Sequence, residues 1–284
     1  TYHILGPYLA QNISNADVVA MDFPGHGQSS HHAADADGVV TDFCFYVAEA
    51  VRLLGWVQQD GNTDTKFILI GHSMGGAVAT MYAASFPQQV ACLITLDAFG
   101  PDFERAEKIS SRMRRHVLDR YDNNVKRNEN DGVVPVKQYD NIQAAVQARM
   151  RTATLAPGGH QWLSEQAATK MVQRATTTTA SVQNGKYKIQ FMHDQRLKHS
   201  EIALHSPAQL QGYWKSIQCP MYCLIAKDGW PFPGTIVERA HARVRQKGNL
   251  TVDALPGSHH FHADPDTAMA VAEAVVDFIQ RHGP

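Results

Sequence analysis

A serine with glycine two residues before and two after it, Gly71-His72-Ser73-Met74-Gly75, followed at once by Gly76, has the spacing of a nucleophile carried on a turn too tight for larger neighbours. The apolar run Lys66-Phe67-Ile68-Leu69-Ile70 precedes it and a helix-length stretch, Met74 to Ser85, follows. In that strand–turn–helix setting the hydroxyl stands above a sheet. The Met74 N–H, first of the helix, then faces the oxyanion formed when the serine attacks a carbonyl. Such a serine performs acyl transfer, and it needs a general base. In 284 residues a chance match to the five-residue pattern has odds of about one in ten, so the flanking strand, helix and extra glycine carry much of the weight.

In this arrangement the chain order is serine, acid, histidine, which places the base near the C-terminus. Leu255-Pro256-Gly257-Ser258-His259-His260-Phe261-His262 stands there, ahead of a closing helix. His259 comes first in the loop and is the expected base; His260 and His262 are expected to pack or hydrogen-bond locally. Two acids qualify, each following an apolar run. Asp228 lies in Ala226-Lys227-Asp228-Gly229-Trp230 and Asp97 in Thr95-Leu96-Asp97-Ala98. The usual layout favours Asp228, with Asp97 as the alternative. His259 would take the Ser73 proton and return it to the leaving alcohol, and water would repeat the cycle. No metal or organic cofactor is required, and no Cys/Asp/His metal set is expected: Cys219 and Cys223 lack zinc-ligand spacing.

The elements that must position these groups alternate. Short apolar runs at Asp17 to Met21, Lys66 to Ile70 and Val90 to Leu96 are separated by helix-length stretches at Thr41 to Leu54 and Met74 to Ser85. Runs apolar throughout are strands buried on both faces, which implies a parallel sheet covered by helices. From 101 to 215 the chain turns polar, with helical spacing at Ile142 to Met150 and Leu163 to Arg174 and no buried strand, so a helical lid is expected there. Trp162, Phe191 and Met192 within it are candidates to line an apolar substrate pocket. Strand signals resume at Pro220 to Ile225 and Leu250 to Leu255, with helices at Ile236 to Arg245 and Asp266 to Arg281. The expected organisation is 1–100 and 216–284 as two parts of one core, with 101–215 inserted as the lid.

Composition sets bounds. With 44% hydrophobic and 19% charged residues and a net charge of −1, the chain can build a large core and has no basic concentration that would demand nucleic acid or an anionic membrane. No apolar stretch reaches the roughly 18 residues of a membrane span, and no signal peptide is expected from the opening residues, which lack a basic region followed by an apolar core. Cys44, Cys92, Cys219 and Cys223 read as buried thiols, which fits a cytoplasmic or other reducing compartment.

Asp22-Phe23-Pro24-Gly25-His26-Gly27-Gln28-Ser29-Ser30 resembles the D-x-P-G-H-G-x-S turn that precedes the nucleophile turn in many α/β-hydrolases. Together with Gly71 to Gly76 and Pro256 to His262 the likeness covers the core from end to end. Arg174-Ala175-Thr176-Thr177 and Asp194-Gln195-Arg196-Leu197 resemble the lid of the serine hydrolase-like proteins, a subgroup that includes the kraken-type hydrolases. The resemblance implies an α/β-hydrolase fold, a mostly parallel central sheet flanked by helices with a helical lid. It also implies a Ser-His-Asp triad on Ser73, His259 and Asp228 but names no substrate; a small apolar ester or acyl compound is what the serine chemistry and the apolar lid residues lead one to expect. Two departures accompany it. The family's acid falls where this chain has Gly229, which keeps Asp97 in play. Tyr2 to Ala10 resembles the helix that follows the family's His-Gly oxyanion loop, so N-terminal strands and a second oxyanion donor are expected to be missing, and the chain as given is expected to be weakly active or inactive. A catalytically silent binding protein and a C–C bond hydrolase are the competing readings.

Overall fold

A computed structural model describes residues 2–31, 40–53, 55, 66–129, 136–155, 161–180, 187–198, 204–232, 234 and 249–283. Four strands, β1 (Phe67–His72), β2 (Val90–Leu96), β6 (Met221–Asp228) and β7 (Leu250–Ser258), lie side by side in that order and all run parallel. Helices α1 (Leu5–Asn12), α2 (Val40–Leu53), α3 (Met74–Ser85), α7 (Pro207–Ser216) and α8 (Ala268–His282) pack around them.

Alternation along each strand sorts side chains to two faces. Leu93, Met221 and Cys223 join Tyr82, Ala83, Leu210 and Trp214 on the face covered by α2, α3 and α7. Cys92, Ile94, Leu96, Tyr222 and Leu224 join Leu5, Leu9, Val271, Val275 and Phe278 on the face covered by α1 and α8. Because both faces are covered, the strands read as unbroken apolar runs. Helix α3 is buried from Gly76 through Ala83, and its small residues let its backbone press close to the sheet.

The segment from 101 to 215 carries α4 (Ile109–Glu129), β3 (Gln138–Tyr139), α5 (Ile142–Ala153), α6 (Glu165–Ala175), β4 (Thr176–Ala180) and β5 (Tyr187–Phe191) as well as α7. No buried strand is expected there, and no described residue of its three short strands is buried, but the insertion is not purely helical. β3, β5 and β4 form a three-stranded antiparallel sheet. The run Thr176 to Thr179 looks like a low-complexity tract in the sequence, but it builds β4 because β-branched side chains fit a pleated surface. A separate apolar cluster of Ala145, Val146, Leu163, Ala168 and Val172 holds α5 to α6 and includes Ala263 from the loop after β7.

The run Asp17 to Met21 does not form the expected strand. Val18, Val19 and Met21 are 42%, 60% and 42% exposed, and no ladder partner stands beside them among the described residues. An apolar run becomes a strand only where neighbouring backbone groups are open to pair with it. The expected helix at Ile236 to Arg245 lies outside the described residues. No described helix is long and apolar enough to cross a membrane. Cys92, Cys219 and Cys223 are buried free thiols and Cys44 is half-buried; burial raises the four thiols to about 11 or 12.

Candidate active site

Ser73, Asp97, Asp228 and His259 each sit at the carboxyl end of a strand, where the loops of an open parallel sheet converge. Ser73 follows β1 directly and has φ 52° and ψ −120°, a conformation rarely adopted by residues with a side chain. The neighbouring glycines hold it there. A Cβ on Gly71 would lie 2.2 Å from the Gly75 carbonyl oxygen, and one on Gly76 would lie 2.7 Å from Ala98 Cβ. The strand therefore meets its helix without room for a side chain at position 71 or 76, whereas a Cβ on Gly75 would meet nothing nearer than the Tyr2 hydroxyl at 4.0 Å. Met74 begins α3, so its N–H has no partner within the helix.

His259 follows β7, and its Nδ1 lies 2.6 Å from Asp97 Oδ2. Asp97 follows β2 and is 1% exposed. The Ala226 N–H donates to its Oδ1 at 3.1 Å and the Trp230 N–H to its Oδ2 at 2.8 Å. A carboxylate so gripped accepts from the imidazole, which fixes the His259 proton on Nδ1 and leaves the Nε2 lone pair to receive one. Of the two candidate acids, the structure thus brings Asp97 to the histidine. Asp228 is still within β6, paired in register with Ser258, and its side chain is exposed.

Ser73, Met74, Asp97 and His259 line one cavity of about 250 Å³, with Phe99, Leu204, Trp230 and Phe232 among its walls. Trp162, Phe191 and Met192 are not among the lining residues. Phe191 packs edge-on to Tyr139 at 5.8 Å beside the lid's own apolar cluster. The apolar walls come instead from the turns after β2 and β6, with Leu204 added from the stretch before α7.

Behind His259 lies a nest of imidazoles. The His72 ring is 4.5 Å from that of His259, 5.1 Å from that of His260 and 4.0 Å from that of His262. His72 Nε2 is 2.6 Å from the His259 carbonyl oxygen; a carbonyl only accepts, so His72 carries its proton on Nε2. Arg149 on α5 donates to His260 Nε2 at 3.0 Å. Burial first, then the neighbouring positive groups, holds His260 down to about 3 and His72 and His262 well below the usual imidazole range. Three neutral rings therefore pack beside the base. Among the described residues no three His, Cys, Asp or Glu side chains converge as a metal set.

The turn after residue 21 is tied to the lid. Gly27 has φ 53°, and a Cβ there would strike the Asp22 carboxylate. Arg174 donates to Asp22 Oδ2 at 2.8 Å, and the Asp194 N–H donates to the Gly25 carbonyl at 2.9 Å. Arg196 binds Asp194 in turn. The three sequence motifs, far apart in the chain, meet at one junction.

The family profile described as the alpha/beta hydrolase fold matches residues 1–154. A serine hydrolase-like protein of Danio rerio is 30% identical, the match covering 94% of this chain and 74% of that protein. A probable serine hydrolase of Drosophila melanogaster is 26% identical over the same shares, 94% and 74%. Among solved structures, a hypothetical protein of Pseudomonas aeruginosa superposes with a TM-score of 0.76 at 26% identity, covering 97% of this chain and 86% of that one. The thioesterase domain from the curacin biosynthetic pathway superposes at 0.61 and 19% identity, over 90% and 78%, a likeness of fold alone.

Proposed function

We propose that this chain, which belongs to the α/β-hydrolase fold family and is similar to serine hydrolase-like proteins along most of its length, hydrolyses small ester or acyl substrates with Ser73 as nucleophile, His259 as base and Asp97 as acid. The observation that carries the reading is the buried 2.6 Å contact between Asp97 and His259, opening on the same cavity as a serine held at φ 52°. His259 Nε2 takes the Ser73 proton as Oγ attacks the carbonyl carbon. The Met74 N–H stabilises the oxyanion, and the imidazolium, steadied by Asp97, protonates the departing alcohol. Water then attacks the acyl-serine with the same base and releases the acid. Phe99, Leu204 and Phe232 make the cavity walls apolar and the volume is modest, so short acyl groups suit it.

The test is labelling by a fluorophosphonate, which reports an activated serine without knowledge of the substrate. Wild-type protein should label and Ser73→Ala should not. Absence of any labelling of the wild type would refute the hydrolase reading and leave a binding protein that uses the same cavity.

A further inference from the structure

One buried side chain carries the lid into the site. Gln161, 4% exposed, precedes α6. Its Oε1 accepts the His259 N–H at 2.9 Å and lies 3.3 Å from Ser258 Oγ. Its Nε2 donates to the Gly229 carbonyl. Gly229 belongs to the turn whose Ala226 and Trp230 N–H groups grip Asp97, and a Cβ on Gly229 would lie 2.5 Å from Asp97 Oδ2. A single carboxamide therefore spans the turn around the acid and the loop that carries the base.

Neighbouring contacts seat the same stretch of lid. The Trp162 N–H donates to Ser258 Oγ at 3.1 Å, and Ser258 Oγ donates back to the Trp162 carbonyl at 2.5 Å. The Ser164 N–H reaches Asp264 Oδ2 at 3.3 Å, and Leu163 shares the lid's apolar cluster with Ala263. The bridge calls for an amide. It must accept on one side and donate on the other, whereas a carboxylate only accepts and a thioether does neither well.

We infer that Gln161 is a positioning residue for the His259–Asp97 pair, its carboxamide joining the backbone of the base loop to that of the acid turn so that the two hold their register only while lid residues 161–164 are seated on the loop after β7. The inference rests on Ser73 and His259 being the reacting pair. Its test therefore includes a measurement that does not depend on turnover.

Gln161→Met keeps the side-chain length and removes both hydrogen bonds. Gln161→Glu keeps the acceptor and loses the donor, and it carries the test should the methionine variant fail to fold. Gln143→Ala, which breaks only the lid's exposed link to Glu165, controls for general loosening. With wild-type far-UV circular dichroism, both Gln161 variants should label with a fluorophosphonate about 10- to 100-fold more slowly. KM for p-nitrophenyl butyrate should stay within about twofold, because the loss falls on the chemical step and not on binding. The low-field proton resonance of His259 Nδ1–H should weaken or vanish, while Gln143→Ala matches the wild type in every measure. Wild-type labelling with an unchanged low-field proton in the Gln161 variants would overturn the inference, as would an equal loss in Gln143→Ala. If wild-type protein shows no Ser73-dependent labelling, the hydrolase reading has failed. The resonance alone then decides, a retained proton overturning the role of Gln161 and a lost one supporting it.

Discussion

Exchanging Asp97 for asparagine isolates the one candidate acid that the structure places against His259. The two carboxylate oxygens receive three hydrogens, from Ala226 N–H at 3.1 Å, Trp230 N–H at 2.8 Å and His259 Nδ1 at 2.6 Å. Asparagine fits the same space but must turn an NH₂ toward a donor. With the NH₂ at the Oδ2 position it faces Trp230 N–H and the imidazole. The imidazole then moves its proton to Nε2 and can no longer accept from Ser73. With the NH₂ at the Oδ1 position it opposes Ala226 N–H, and the imidazolium loses its counter-charge. In triads this exchange costs about 10⁴ in kcat, or about 5.4 kcal/mol at roughly 1.36 kcal/mol per decade. A buried donor without an acceptor adds about 1–3 kcal/mol of instability. Asp228→Asn alters an exposed side chain and should stay within about twofold of wild type. Initial rates on p-nitrophenyl butyrate and fluorophosphonate labelling measure both variants. Full activity in Asp97→Asn, with the four decades lost in Asp228→Asn instead, would refute the assignment and return the acid to Asp228.

Two further outcomes follow from strain and from buried imidazoles. Ser73→Gly removes the side chain from a backbone held at φ 52°; it should abolish labelling while raising unfolding free energy by about 1–2 kcal/mol in urea denaturation, and a variant less stable than wild type would show that the turn stores no strain. Because burial lowers His260 to about 3 and His72 and His262 well below their ordinary value, the unfolded chain takes up protons below about pH 6.5 that the folded chain declines. Stability is then full above that pH and falls by up to about 1.4 kcal/mol per pH unit for each of these histidines as pH drops toward 3. Urea midpoints at a series of pH values should show the decline, and His260→Gln should flatten it; a level profile from pH 6.5 to 4.5 would contradict the burial of these rings as neutral groups.

Ser73 and its turn were legible because the constraint is local: two glycines, a strand before and a helix after are all within a few residues of the serine. His259 was legible because the loop after the last strand is short and only three histidines stand in it. The carboxylate that meets His259 was not, since Asp97 and Asp228 each follow an apolar run, and the usual layout and Gly229 point in opposite directions. What separates them is the register between strands more than a hundred residues apart. Leu96 of β2 aligns with Leu224 of β6, so Asp97 leaves the sheet just past that level while Asp228 is carried several residues further along a strand that has not ended. Gln161 was illegible for a related reason, since a lone glutamine in a polar insertion gives no sign that both halves of its amide are spoken for by the core.

The same register explains how the sheet places two strained residues together. Ser73 and Asp97, at φ 52° and 49°, each sit one residue beyond a strand. The Ser73 N–H donates to the Leu96 carbonyl at the end of β2, and the Asp97 N–H donates to the Leu224 carbonyl of β6. Each turn residue is thus held by the neighbouring strand through one further rung of the parallel ladder, past the point where its own strand ends. Two positive-φ conformations, each disfavoured by about 1–3 kcal/mol when isolated, persist because those rungs and the close approach of Gly71 to Gly75 leave the chain no alternative path. Ser73 and Asp97 are therefore delivered by the order β1-β2-β6 itself. A change that slipped β2 against β6 by one residue would move Asp97 to the opposite face and separate it from His259 without touching either side chain.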